Sequence, residues 1–123
     1  MQVHKLNELS QVDNSKTSDV YTLLDNYHMP NLSLSQTILN PNKNTRGHKH
    51  DGLDEVYIFT DIPHNQAYID VGPEDGKLQR TNITPNMLVT LKGGEFHRVC
   101  NLGDQAIKFT CIFQSYDRTS TLK

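Results

Sequence analysis

The stretch Gly47-His48-Lys49-His50-Asp51-Gly52-Leu53-Asp54-Glu55-Val56-Tyr57-Ile58-Phe59 constrains this chain more than any other. Successive side chains of a strand face opposite ways, so His48 and His50 share one face and Lys49 points to the other. The four residues from Asp51 to Asp54 include a glycine and let the chain turn, returning Glu55 in the next strand beside the histidines, with Tyr57 and Phe59 on its face. Two imidazole nitrogens and a carboxylate oxygen then converge, a ligand set for a divalent first-row metal. A three-ligand site invites a fourth. Downstream, Gly93-Gly94-Glu95-Phe96-His97-Arg98-Val99-Cys100-Asn101 offers His97 at the start of another extended run.

The two stretches together resemble the cupin superfamily. Its first motif, a Gly, then His-x-His and a later Glu, is matched by Gly47, His48, His50 and Glu55; its second, a Gly, a His and a later Asn, is matched by Gly94, His97 and Asn101. The resemblance spans residues 32 to 115 and implies an all-β double-stranded β-helix, a jelly-roll barrel, with His48, His50, Glu55 and His97 holding a divalent ion. Iron, manganese, nickel, cobalt and zinc all suit such ligands. Three positions depart from the family pattern. Ile62 and Asn86 stand where glycines are usual, and Lys92 stands where proline is usual. Asn tolerates the left-handed turn conformation, Ile62 implies a different hairpin, and Lys92 places a cation near the barrel mouth.

The rest of the chain fits a β fold. Leu32 to Leu39, Ala67 to Val71, Leu78 to Ile83, Met87 to Leu91 and Ile107 to Gln114 read as strands, separated by turn-rich runs such as Asn40-Pro41-Asn42 and Gly72-Pro73-Glu74-Asp75-Gly76. In the last strand Ile107, Phe109, Cys111 and Phe113 share a face and read as barrel packing. Before the barrel, Ser18 followed by Asp19 is placed to cap a short helix over residues 18 to 25, with Val20, Leu23 and Leu24 on one side. The expected organisation is an N-terminal arm and short helix over 1–31, a barrel over 32–115 and a polar tail over 116–123.

Composition excludes several classes of function. A formal net charge of −2 leaves no basic footprint for nucleic acid, and no apolar run approaches a membrane span. The first residues lack the apolar core of a secretion signal, so the expected address is cytoplasmic. The two cysteines, Cys100 and Cys111, make no disulfide framework; they fall in extended stretches that could be strand neighbours, and both read as small packing residues rather than reactive or metal-ligating ones. Asn31-Leu32-Ser33 and Asn82-Ile83-Thr84 match the glycosylation sequon by chance, and His4, His28 and His64, without a spacing partner, read as surface residues.

Around the expected centre, Tyr57 reads either as a hydrogen-bond donor to the cavity or as a packed ring, and Asn101 as a side chain satisfying backbone groups at its strand end. Lys92, Arg46 and Arg98 are the cations available to an anionic substrate, with Arg98 pointing away from His97 by alternation. The motif residues look most like those of cupin-type glucose-6-phosphate isomerases. That resemblance implies a small-molecule substrate, an anionic sugar, with Glu55, Tyr57 and Lys92 in catalytic roles. A non-haem iron dioxygenase and a non-catalytic sugar- or carboxylate-binding cupin are the alternatives, and the expected assembly is a homodimer.

Overall fold

The computed structural model describes residues 15–49 and 51–114, together with Met1, Val3 and Lys5. His4, His50, most of the N-terminal arm and the tail from residue 115 lie outside the described residues. Ten strands are present among the described residues, with no helix: β1 (Ser15–Thr17), β2 (Tyr21–His28), β3 (Leu32–Leu39), β4 (Lys43–Asn44), β5 (Glu55–Phe59), β6 (Ala67–Gly72), β7 (Gln79–Asn82), β8 (Met87–Leu91), β9 (Phe96–Asn101) and β10 (Ile107–Gln114). They form a six-stranded sheet in the order β1-β2-β3-β10-β5-β8 and a four-stranded sheet in the order β4-β9-β6-β7. All pairings are antiparallel, and the two sheets make the expected jelly roll.

Alternation does most of the sorting. In β5 the inward set is Glu55, Tyr57 and Phe59, and in β10 it is Ile107, Phe109 and Cys111, all buried. Ala67 and Ile69 of β6 and Val99 of β9 face them from the smaller sheet and close the core with Leu39, Ile83 and Leu91. Ile62 is buried and joins this cluster. The residue that replaces the usual family glycine therefore packs rather than turns.

The helix expected over 18–25 is absent. Ser18 Oγ does accept backbone N–H groups, from Val20 at 3.1 Å and Tyr21 at 3.2 Å, but the turn it closes leads into a strand. Tyr21 and Thr22 start β2, which pairs with β3 from Tyr21 opposite Leu39 to His28 opposite Ser33, with a register shift between Leu24 and Tyr27. The capping signal was therefore a turn signal, and a ready sheet edge outcompeted three apolar residues at helical spacing. The cysteines are not strand neighbours either. Cys100 lies in β9 of the smaller sheet and Cys111 in β10 of the larger, both buried and free.

β3 is a departure of another kind. Its inward residues are Ser33, Ser35, Thr37 and Leu39, all buried, so three of the four are polar, whereas Leu34 and Ile38 are half-buried on the outer face and Leu32 is exposed.

Two motif positions have clear steric causes. A Cβ on Gly47 would come within 2.0 Å of the Phe96 ring, so only glycine lets the chain pass that ring on its way to His48. Asn86 adopts φ 62°, the left-handed conformation that the usual glycine would supply.

Candidate metal centre

The site forms at one mouth of the jelly roll, where both sheets contribute. His48 makes a lone antiparallel bridge with His97, each backbone N–H donating to the other's carbonyl at 3.1 and 2.9 Å, which places both histidines on the side of the four-stranded sheet. Glu55 opens β5 in the six-stranded sheet. The run 51–54 thus carries the chain across from one sheet to the other instead of closing a hairpin, and the convergence of Glu55 with the histidines is made through space between sheets. His97 and Glu55 are buried, and His48 is exposed at the rim.

Both imidazoles are set in the same way. His48 Nδ1 lies 3.3 Å from Arg46 O and His97 Nδ1 lies 3.1 Å from Glu95 O, in each case the carbonyl two residues earlier. A carbonyl only accepts, so each Nδ1 carries a hydrogen and each Nε2 is the nitrogen turned to the group. The two Nε2 atoms stand 3.1 Å apart, and His97 Nε2 is 3.8 Å from Glu55 Oε2. Ligand atoms of His48, Glu55 and His97 all lie within 4.8 Å of one another, the one such group among the described residues. Adjacent ligands about 2.1 Å from one ion stand roughly 3 Å apart, so the donor set fits a divalent first-row metal.

A cavity of about 390 Å³ opens beside this group, near the small end of the range typical of small-molecule sites. His48, Glu55 and Tyr57 line it, Phe109, Cys111 and Phe113 of β10 form one wall, and Ser35 and Thr37 of β3 continue that wall. Thr45, Arg46 and Gly47 form the opposite side. Tyr57 stacks on Phe109 at 5.7 Å and meets the His97 ring edge-on at 5.4 Å. Burial, then the neighbouring Cys111 and Glu55, push its phenol well above its ordinary range, so it sits in the cavity as a protonated donor. Burial does the same to the Cys111 thiol, with Glu55 adding to it.

Among the expected cations the structure separates three cases. Arg46 lines the cavity with its side chain exposed. Lys92 is exposed after β8 and is not among the cavity-lining residues. Arg98 points to the outer face of the smaller sheet, where its Nε donates to Asp70 Oδ2 at 3.0 Å. Asn101 has the structural role expected of it, its Nδ2 donating to Leu39, Asn40 and Gln105 carbonyls while its Oδ1 accepts Gly103 N–H. Tyr21, Ser35, Thr37 and Thr45 also line the cavity, and no motif marks them. Only the polar half of the β3 alternation signalled Ser35 and Thr37. The alternation of β10 reads as packing alone for Phe109, Cys111 and Phe113, whereas they line the cavity as well.

No family model matches the sequence, and no curated protein matches it. Solved structures do match. A cupin domain from Bordetella pertussis superposes with a TM-score of 0.63 at 15% identity, covering 82% of this chain and 99% of that one. CapF of Staphylococcus aureus, a capsular polysaccharide assembling protein, gives 0.75 at 16% identity over 88% of this chain and 30% of CapF. A Bacillus halodurans protein gives 0.64 at 15% identity over 72% of this chain and 65% of that one. The chain has the cupin fold. It spans about two thirds of the Bacillus halodurans protein and under a third of CapF. Among the described residues no helix is long and apolar enough to cross a membrane.

Proposed function

We propose that this protein is a metal-dependent cupin enzyme acting on a small hydroxylated substrate, and that the reaction is the isomerisation of a sugar or sugar phosphate. One observation carries the metal: two imidazoles, each with Nδ1 against a backbone carbonyl, bring their Nε2 atoms within 3.1 Å of each other beside a buried carboxylate. A divalent cation taken up by the two Nε2 atoms and the carboxylate would satisfy all three groups at once. His48, Glu55 and His97 would hold the ion, with His50 as the fourth ligand on the strength of its His-x-His spacing. When bound, the ion supplies a Lewis acid that polarises a carbonyl and its neighbouring hydroxyl.

The remaining chemistry belongs to the chain. Glu55 is the one carboxylate among the described residues that line the cavity, and its role is to take a proton from one carbon and return it to the next. Tyr57, kept protonated by burial, donates a hydrogen bond to a substrate oxygen and orients it. Arg46 is the cation at the cavity and receives the anionic end, a role for which Lys92 lies outside the lining. The acting unit is proposed to be a homodimer, which light scattering at micromolar concentration would contradict by returning the monomer mass.

The deciding experiment is elemental analysis of protein purified without chelator or nickel resin, followed by anaerobic assay against aldose and ketose phosphates. About one ion per chain, with turnover in the absence of oxygen, is the expected result. Iron with substrate-dependent oxygen uptake would instead make it a dioxygenase, and a metal-loaded protein that returns every sugar unchanged would make it a binding module.

A further inference from the structure

The wall of the cavity formed by β3 is built the wrong way round for stability. An alternating strand gains most by burying its apolar set, yet here Ser33, Ser35 and Thr37 are turned in ahead of the one inward leucine, Leu39, while Leu34 and Ile38 are half-buried and Leu32 is 51% exposed. The register is firm: Ser33, Ser35 and Thr37 face Phe113, Cys111 and Phe109 of β10 across the sheet. A strip of hydroxyls therefore runs beside a strip carrying two aromatic rings, and both line the cavity at Ser35, Thr37, Phe109 and Phe113. On the opposite side Thr45 Oγ1 accepts the Val99 N–H at 2.8 Å, which leaves its own hydrogen to donate. A polyol has the matching character, with hydroxyl groups along its edges and apolar C–H faces.

We infer that Ser35 and Thr37 are specificity residues that read substrate hydroxyls, and that the substrate class is a polyhydroxylated acid whose acidic end meets Arg46. This rests on the small-molecule reading of the cavity given above. It does not depend on whether a metal is bound, since neither residue belongs to the His48–Glu55–His97 group.

The test compares D-gluconate with hexanoate, an acid of equal carbon number without hydroxyls, by saturation-transfer NMR on chelator-treated protein and by competition on protein loaded with manganese. The wild type is expected to prefer gluconate by at least about tenfold. Thr37→Val and Ser35→Ala are each expected to reduce that preference about two- to tenfold, the worth of one hydrogen bond. Thr37→Ser, which keeps the hydroxyl, is expected to retain it and guards against a folding artefact. Arg46→Gln is expected to weaken both acids alike. Metal content by elemental analysis is expected to be the same in all four variants, so loss of metal reading and loss of hydroxyl reading are separable. No binding of gluconate by the wild type at millimolar concentration, a preference untouched by both Thr37→Val and Ser35→Ala, or acids indifferent to Arg46→Gln would overturn the inference.

Discussion

His48 and His97 are linked twice, by a reciprocal backbone bridge and by Nε2 atoms 3.1 Å apart. The bridge fixes the spacing of the two Cα atoms, and the Arg46 and Glu95 carbonyls fix the rings, so the pair is preorganised before any ion arrives. Adding Mn²⁺ or Zn²⁺ to chelator-treated protein is therefore expected to raise Tm. At a hundredfold excess over Kd the gain is about 2.7 kcal/mol, on the order of 10 °C for a chain of this size. His48→Ala and His97→Ala are expected to abolish the shift, measured by differential scanning calorimetry. His50→Ala tests the fourth ligand, with a reduced shift expected.

Gly47 and Phe96 give a second prediction. The ring leaves no room for a Cβ, and the chain leads from there straight to His48. Gly47→Ala is expected to cost about 1–3 kcal/mol, the usual penalty of overpacking, and to weaken metal uptake by displacing His48. Phe96→Leu in the same chain is expected to recover part of both losses. Denaturant melts and metal titrations of the single and double variants read this coupling directly, and additive losses would show that the contact is not what demands glycine.

The grouping of His48, Glu55 and His97 was legible because both histidine motifs set particular residue types at particular spacings, and the strands were legible because apolar and polar residues alternate. What was not legible follows from tertiary choice. Ser18 carries the same capping hydroxyl whether a helix or a turn follows, and only the β3 edge available to Tyr21 decided for a strand. The alternation of Leu32 to Leu39 gave the strand but not which half faces inward, and the structure turns Ser33, Ser35 and Thr37 in and leaves Leu32 exposed. Glu55 was foreseen beside the histidines, although as a hairpin neighbour and not as a residue of the opposite sheet.

Asn101 ties three chain segments together. It is fully buried, and its amide serves the carbonyls of Leu39, Asn40 and Gln105 at 3.1, 3.2 and 2.9 Å while its oxygen takes the Gly103 N–H. Asn101→Ala strands those groups, several of them buried, and is expected to cost about 2–4 kcal/mol. Asn101→Asp keeps the size but replaces the donor with a buried carboxylate facing carbonyl oxygens, so it is expected to be at least as damaging at neutral pH. Equilibrium urea unfolding distinguishes this structural role from a surface one, for which both variants would stay within about 0.5 kcal/mol of wild type.

Asp70 couples the stability of the fold to pH. It is buried on the outer side of the smaller sheet, with Arg80 clamped on both oxygens at 2.9 and 3.1 Å and Arg98 on Oδ2 at 3.0 Å. The Arg80 hydrogen bonds, opposed by burial and aided by Arg98, hold its carboxyl at about 2, down from an ordinary 3.8. A depressed folded-state value means that the unfolded chain takes up the proton first, so the contribution is fully present above the ordinary value and is lost as pH falls through 3.8 towards 2. It amounts to about 2 kcal/mol, from roughly 1.4 kcal/mol per pH unit. Asp70→Asn is expected to remove that contribution at neutral pH and to flatten the stability profile between pH 4 and pH 2, read from urea midpoints across the range. Metal uptake, which depends on the opposite face of β9, is expected to persist in this variant. If the stability of the Asp70→Asn variant still fell by the wild-type amount over that window, the acid sensitivity would belong to other carboxylates.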